Sequence, residues 1–529
     1  MSITTPQPWP PADASLRRRL LGLFSVCLAA LLLPMSFSGG AVATPAIGAA
    51  LHGSALEMRW ITSAFMLAFG GCLMAAGACA DAFGRKRIFL LGVGCLLLTS
   101  LALALSNSAL AVDWLRALQG VAAAATLAGG GASLAQDFDG HARARAYGLL
   151  GTTFGVGLAF GPLLAGVLIA RFGWRGVFAA TAVIAAFALC IGARCMRESR
   201  DPAAAGLDWP GTLSFTGALA CFTYGVIQAP AIGATAPEVI GSLVLALMLA
   251  VAFVVIERRV AHPMLDLTLF RYVRFVGVQM LPVATCCCYI VLLVLLPLRF
   301  IGVHGDSEIV AGLRMMAMSL PMLVVPFIAT QLARRMPAGV LCSSGLVLAA
   351  VGLVWLARTA GAPGTLHSGV LNPALWPMLL IGTGSAVPWG LMDGLSVSVV
   401  PTERAGMAMG IFNTTRVASE GVALALVGAV LIGLIGMHLP DLHGAVAPDV
   451  AREAINRLVA GDMHGAVTSA PAWGEAALRD AYEHAFATLL DRLAIVTLLC
   501  AAVVFACLGS KPRTVAADLG EPSTDIGPR

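Results

Sequence analysis

The chain has 529 residues, 59% of them hydrophobic and 12% charged, with a formal net charge of +5 and a mean hydropathy of +0.88. A water-soluble domain of this length needs far more charge on its surface, so the composition reads as a polytopic membrane protein. No basic run lies outside the short loops, which leaves nucleic acid without support as a partner.

Residues 1–19 form a polar, proline-rich tail ending in Arg17, Arg18 and Arg19. The apolar run that follows is too long for a signal peptide and shows no small-residue cleavage site, so it reads as a first span. Stretches of about 20 apolar residues, each enough to cross ~30 Å of hydrocarbon, then recur to the end. They fall near 20–43, 60–79, 88–106, 111–135, 146–170, 176–193, 210–229, 237–256, 275–298, 309–330, 338–357, 374–400, 405–436 and 489–509, which makes fourteen helices. With a cytoplasmic N-terminus, the inner segments collect 21 arginines and lysines and the outer segments 8, Arg59, Arg299 and Arg457 among them. This positive-inside bias places both termini in the cytoplasm. The outer loop 437–488 carries a weak helical rhythm at Val450, Ile455, Leu458 and Val459. It reads either as a short amphipathic helix on the outer surface or as a loosely ordered connection.

Thirteen cysteines, including Cys286, Cys287 and Cys288, lie mostly in apolar runs without metal-ligand spacing and read as small packing residues. The nine histidines fall in or beside expected loops, which argues against a histidine proton relay or a metal site in the bilayer. Neither lysine follows a glycine, so the chain has no phosphate-binding loop and no ATP-driven step of its own. No cofactor is implied. An enzyme would need a cluster such as His-Glu-x-x-His or paired aspartates at the membrane surface, and none is present.

Three stretches carry the chemistry. Between spans 2 and 3 stand Gly77, Asp81, Gly84, Arg85, Lys86 and Arg87. Gly77 suits close helix approach, Gly84 a tight turn, and Asp81 a polar contact that breaks on a rocking motion. Asp113, Arg116 and Gln119 then sit at helical spacing inside an apolar run, where a charge is costly and functional by default. After a short basic loop, span 5 is stepped by Gly151, Gly155, Gly157, Gly161, Pro162 and Gly166. Glycines four apart let helix backbones approach, and Pro162 removes one backbone bond, as a hinge region requires. Packing alone would also account for the glycines.

The Gly, Asp, Gly, Arg, Lys pattern of the 77–87 stretch resembles the major facilitator superfamily. Arg116, Gln119 and Gly120 resemble that superfamily's span 4 motif, and Gly157, Gly161, Pro162, Ala165 and Gly166 its antiporter-type span 5 motif. Trp60 to Ala68, Asp208 to Gly211, Pro263 to Phe270, and Arg404, Gly406, Ala408, Gly410, Asn413 and Arg416 resemble the fourteen-span drug:proton antiporter branch. The resemblance implies an all-α fold of two six-helix bundles around a central cavity, with spans 7 and 8 inserted between them. The expected division is a tail at 1–19, a first bundle at 20–193, a linker with the inserted spans at 194–274, a second bundle at 275–509 and a tail at 510–529. It further implies proton-driven export of amphipathic drugs or hydrophobic metabolites across a bacterial inner membrane. The partners are then a small amphipathic substrate, protons and the lipid bilayer, with a periplasmic adaptor protein left open.

One position departs from the branch. Where span 1 usually carries an aspartate for proton coupling, this chain has Ser36, which leaves a uniporter or differently coupled exporter as the alternative. Counted from the outer ends of their spans, Ser36 and Arg116 lie at similar depth, ~10 and ~8 Å in. Arg116 has therefore lost its expected acidic partner. Asp113, one turn away on the same face, is expected to neutralise Arg116 and to carry the exchangeable proton, or else simply to help start the helix. Two further acids compete. Glu420 lies four residues after Arg416, as an intrahelical pair would, and Asp393 lies near Trp389. Either one instead suits a structural ion pair, with Arg314 as a partner. Ser36, Gln119, Trp389, Met392, Phe412, Asn413 and Arg416 are the candidates for the cavity wall.

Overall fold

In the computed structural model, residues 12–138, 140–200, 208–260, 267–360, 373–400, 405–439 and 446–509 are described, and among them every regular element is a helix. The tails to residue 11 and from residue 510, Arg404, and Pro263 to Asp266 of the motif residues lie outside them. Hydrocarbon offers no partner for backbone polar groups, so an apolar segment that crosses it closes its hydrogen bonds within itself.

Eight helices make up the first part: α1 (Ala12–Leu51), α2 (Ala55–Phe83), α3 (Arg85–Leu105), α4 (Ala109–Asp137), α5 (Gly140–Phe172), α6 (Trp174–Cys195), α7 (Trp209–Ile232) and α8 (Pro237–Glu257). Then come α9 (Val273–Val303), α10 (Glu308–Leu332), α11 (Ala338–Ala360), α12 (Leu375–Ser398) and α13 (Ala405–Met437). Two short helices, α14 (Pro448–Val459) and α15 (Met463–Ser469), precede the last, α16 (Gly474–Leu508). Among the described residues, thirteen helices are long and apolar enough to span a bilayer. The fourteenth, α7, has 24 residues and packs along α8, but Thr212, Ser214, Thr216 and Thr223 make it more polar.

Six helices pack together on each side. In the first group α2 runs along α4, α3 along α4 and α6, and α1 along α5 and α6. In the second, α11 runs along α12 and α16, α10 along α12, and α9 along α12, α13 and α16. The pair α7–α8 lies beside α2 and α13, and only 11% of the most apolar stretch of α8 is buried, against 89% for α9. α9 is thus the core element and α8 a lipid-facing one.

Two expectations change in length rather than in kind. The last span begins at Gly474 instead of 489, giving a 35-residue helix about 52 Å long, more than hydrocarbon requires. Its first turns carry Glu475, Arg479, Asp480 and Glu483, whose charges hide a helix from hydropathy alone. The connection before it is helical too, with Ile455, Leu458 and Val459 of α14 buried and Val450 exposed.

The glycines of α5 divide its length between two jobs. A Cβ at Gly157 would lie 2.5 Å from Pro34 Cγ, and one at Gly161 would meet Ser38 Oγ, so this part of α5 lies directly on α1. One at Gly166 would meet the Glu308 carbonyl oxygen of α10, while Gly312 of α10 packs on the Leu163 backbone. The same helix therefore joins both groups at this end. Towards its other end, Gly151 faces open space and Gly155 has only the Met322 oxygen at 3.6 Å. A Cβ at Gly77 likewise meets nothing within 4 Å, so the expectation that it lets α2 approach a neighbour fails; Gly70, where a Cβ would lie 2.9 Å from the Ala418 nitrogen of α13, does that. Gly166→Leu should force α5 and α10 apart and cut the protein's activity about tenfold, whereas Gly151→Ala should leave it within about twofold. Activity measured at matched membrane protein levels checks both.

Candidate functional site

A cavity of about 770 Å³ lies between the two groups, lined by α2, α4 and α5 on one side and α10, α12 and α13 on the other. It reaches the end of the molecule marked by the Gly84 turn, where Gly77 and Asp81 form part of its wall. Its surface is mainly apolar, with Phe154, Phe327, Met322 and Trp389, and its charged groups are Asp81, Asp393 and Arg416.

Asp393 and Arg416 are bonded to each other across α12 and α13, with Nη1 3.2 Å from Oδ1. The aspartate side chain is 47% exposed and the arginine 13%, so the carboxylate is the more accessible partner. Arg416 also reaches the far wall, its guanidinium 5.9 Å from the Phe154 ring of α5 and 5.8 Å from Phe412 behind it. This pairing corrects the expectation for Glu420: Arg416 turns to Asp393 on the neighbouring helix rather than to the carboxylate one turn along its own. Glu420 is 9% exposed and does not line the cavity. Arg314 is bonded to Asp306, in the connection between α9 and α10, and among the described residues not to the buried acids for which the sequence suggested it. Trp389, Asn413 and Arg416 line the cavity; Met392 and Phe412 are fully buried within their group, and Ser36 and Gln119 are buried elsewhere.

Gln119 belongs to a second cluster, built on Arg116. This arginine is wholly buried, with Nε donating to the Ile61 carbonyl of α2 at 2.8 Å and Nη1 to Gln119 Oε1 at 2.5 Å. Gln119 Nε2 in turn donates to Ser100 Oγ of α3 at 2.8 Å, and the guanidinium lies 4.3 Å from the Phe65 ring centroid. A Cβ at Gly40 of α1 would sit 2.8 Å from Nη2, so a glycine is what leaves room for the charge. Nη2, Ser36 Oγ and Asp113 Oδ1 are all buried without a hydrogen-bond partner. The expected Asp113–Arg116 pair is absent among the described residues. Arg116 directs its side chain along α4 towards Gln119 and across to α2, while Asp113 remains one turn behind. A cation here without a carboxylate is held by neutral acceptors and a ring face, each weaker than an ion pair.

At the Gly84 end, Gly84 has φ +115°, and a side chain there would collide with Glu198. Asp81 accepts from Arg85 Nε at 3.0 Å and Nη2 at 2.9 Å, Arg85 Nη1 reaches Gln136 Oε1 at 3.2 Å, and Lys86 Nζ caps the Ala193 carbonyl at 2.8 Å. The loop thereby ties α2, α3, α4 and α6 together.

A third cluster went unread in the sequence. Arg299 of α9 grips Glu483 of α16 with Nε at 3.0 Å and Nη2 at 2.7 Å, and His304 Nε2 lies 2.7 Å from the same carboxylate. All three side chains are under 10% exposed. The sequence reading puts Arg299 just outside the span at 275–298, His304 among the loop histidines and Glu483 within the outer loop 437–488, so it does not bring them together. The available signal was Tyr482, Phe486, Leu489 and Leu490 at helical spacing around it.

The Major Facilitator Superfamily model matches residues 26–424. The chain belongs to the Major Facilitator Superfamily. Within that superfamily it is 30% identical to the multidrug resistance protein Stp of Mycobacterium tuberculosis, over 83% of this chain and 80% of that one. It is 32% identical to the puromycin resistance protein pur8 of Streptomyces alboniger, over 81% and 84%, and 29% identical to the tetracenomycin C resistance and export protein of Streptomyces glaucescens, over 82% and 78%. Among solved structures it resembles a bacterial homologue of the human lysosomal transporter Spinster in an inward-facing, unoccupied conformation, with a TM-score of 0.62, 15% identity and coverage of 93% and 97%. That likeness shows the fold. The chain is accordingly a multi-pass membrane transporter of the secondary active kind and not an enzyme.

Because Arg116 uses the separate donors of its fork, Arg116→Lys should destabilise the protein by about 2 kcal/mol even though the charge is kept. Thermal unfolding of the detergent-purified variant checks this, with Gln119→Ala expected to cost less.

Proposed function

We propose that the chain exports amphipathic small molecules from the cytoplasm across the bacterial inner membrane by alternating access, using the inward proton gradient. The observation that carries this reading is the 770 Å³ cavity between the two six-helix groups, reaching the end flanked by Arg85, Lys86 and Arg87. By the positive-inside bias that end is cytoplasmic, which puts both termini there as well. The volume falls within the ~300–1,000 Å³ of sites that hold drug-sized ligands, and the mix of aromatic, methionine and a few polar groups suits amphipathic molecules of varied shape. The names of the relatives, which refer to multidrug resistance, puromycin and tetracenomycin C, point the same way. The moving units are the segments 20–193 and 275–509, with 194–274 carrying the inserted pair.

Asp393 is the first candidate for the exchangeable proton, because of the two half-exposed carboxylates of the cavity wall, Asp81 and Asp393, it is the one whose protonation releases Arg416. Glu420, one turn beyond Arg416, is the second. Asp113 belongs to the Arg116 cluster, away from the cavity lining, and ranks behind both. A second reading, uniport or coupling to another gradient, is favoured by one observation: among the described residues no carboxylate is bonded to Arg116, and Ser36 fills the usual acidic position. A periplasmic adaptor remains compatible with either.

Deletion of the gene should sensitise cells to amphipathic compounds in a broad screen. In everted vesicles, a compound so identified should dissipate an imposed pH gradient. Asp393→Asn should abolish that dissipation and retain downhill substrate movement, Glu420→Gln should weaken it, and Asp113→Asn should leave it near normal. Export that persists after the pH gradient is collapsed would establish the second reading.

A further inference from the structure

Residues 446–473, which carry α14 and α15, lie over the end of the molecule opposite the cavity mouth. We propose that it is a lid on the exit side of the transporter, and that Arg59 of α2 is its latch. The proposal rests on the orientation and the export reading given above.

The lid is built to lie on a surface. α14 buries Ala451, Ala454, Ile455, Leu458 and Val459 on one face, and Asn456 goes down with them at 5% exposed. Arg59 Nη1 donates to Asn456 Oδ1 at 3.1 Å, and its Nη2 donates to the Ile227 carbonyl of α7. One guanidinium thus ties the lid to α2 and to the inserted helix together. Ala460, just past α14, packs in an apolar cluster with Val42, Ala55 and Met58 of α1 and α2. The lid meets α9 through backbone: a Cβ at Gly302 would clash with the Gly461 carbonyl oxygen and lie 2.6 Å from its carbon, and Gly461 has φ +82°.

Under the lid the path is shut. Between Thr44, Thr62, Ser63, Leu295 and Ala425 there remains a void of about 60 Å³, roofed by Val459 and Ala460. Against the 770 Å³ on the other side, no drug-sized molecule fits there. Connectivity then decides what the latch does. The lid is joined at both ends to the second six-helix group, through α13 and α16, whereas Arg59 belongs to the first. When the groups part at this end the lid departs with the second, and the Arg59–Asn456 bond and the Ala460 packing must break. The latch therefore holds the exit closed while the cavity faces the cytoplasm, and its strength sets how often the exit opens.

A cysteine under the roof reports this directly. Ser63→Cys is introduced into the full chain, and its labelling by a membrane-impermeant maleimide added outside intact cells is measured. The parent chain, with its thirteen native cysteines, supplies the background rate. Asn456→Ala, which removes the acceptor, should raise the Ser63→Cys rate about fivefold or more. Gly302→Ala, which wedges the lid from beneath, should raise it as well. Asn456→Asp, which gives Arg59 an ionised acceptor, should lower it. Opposite shifts from two substitutions at one position are not produced by misfolding. Unchanged rates in all three variants, at normal protein levels in the membrane, overturn the lid. An equal rise with Asn456→Ala and Asn456→Asp overturns the latch, and labelling confined to reagent on the cytoplasmic side overturns the orientation beneath both. The labelling needs no substrate, so an error in the export reading shows separately, as normal lid behaviour without any compound being moved.

Discussion

A charge carried into hydrocarbon must be satisfied by the protein itself, and the arrangement of this chain follows from where its buried charges find partners. Arg116 is met by a backbone carbonyl, an amide oxygen and a ring face, so α4 is fixed against α2 and α3 within one six-helix group. Arg299 is met by the Glu483 carboxylate, with His304 beside it, which fixes α9 against α16 within the other. Neither cluster crosses between the groups. The strong electrostatic contacts thus make each group internally rigid and leave the boundary between them to other forces.

What crosses the boundary is of a different kind. α5 meets α10 through glycine against backbone, α2 meets α13 at Gly70 and Ala418, and the lid meets α2 through one hydrogen-bonded guanidinium. Such contacts consist of many weak dispersion terms and few polar ones, so they form and separate at modest cost. A transporter that alternates between two facings needs this division, with stiff bodies and a soft seam. The glycines of α5 show both kinds of contact in one element: Gly157 and Gly161 lie on α1 of the same group, Gly166 meets α10 across the seam, and Gly151 is open to the cavity. The same residue type serves closure at one end and volume at the other.

The fold was largely legible because a bilayer imposes a simple rule on sequence. Apolar length and arginine placement gave the helices, and the 77–87 loop and the span 5 glycines gave the family. Partner choice was not legible. Arg416 had Glu420 four residues away on its own helix and Asp393 on another, and nothing in one dimension says that the cross-helix partner is used. Asp113 failed as the partner of Arg116 for a related reason: helical spacing puts two residues on one face but does not say which way a long side chain runs. Glu483 was misplaced because its neighbours Arg479, Asp480 and Asp491 suppress hydropathy, while the apolar stripe beside them marks a helix that continues beyond the hydrocarbon. Sequence periodicity, in short, reports which surface a residue occupies, and side-chain reach decides what it meets there.

Ser36 joins these points. A span 1 aspartate beside Arg116 would place a titratable pair inside the first group, among residues that the seam does not touch. Here the serine hydroxyl is buried and unpartnered, and the guanidinium rests against Gly40 instead. The cluster therefore keeps a buried cation organising α2, α3 and α4, and among the described residues it is not bonded to a carboxylate, Asp113 lying one turn away on α4. The pair that faces both the cavity and the seam is Asp393–Arg416, with Phe154 of the opposite group within reach of the same guanidinium. With Asp81 nearer the Gly84 turn, that pair stands in the cavity wall. Coupling located there acts on a charge that already touches both moving bodies, which a carboxylate buried beside Arg116 would have to do through intervening helices.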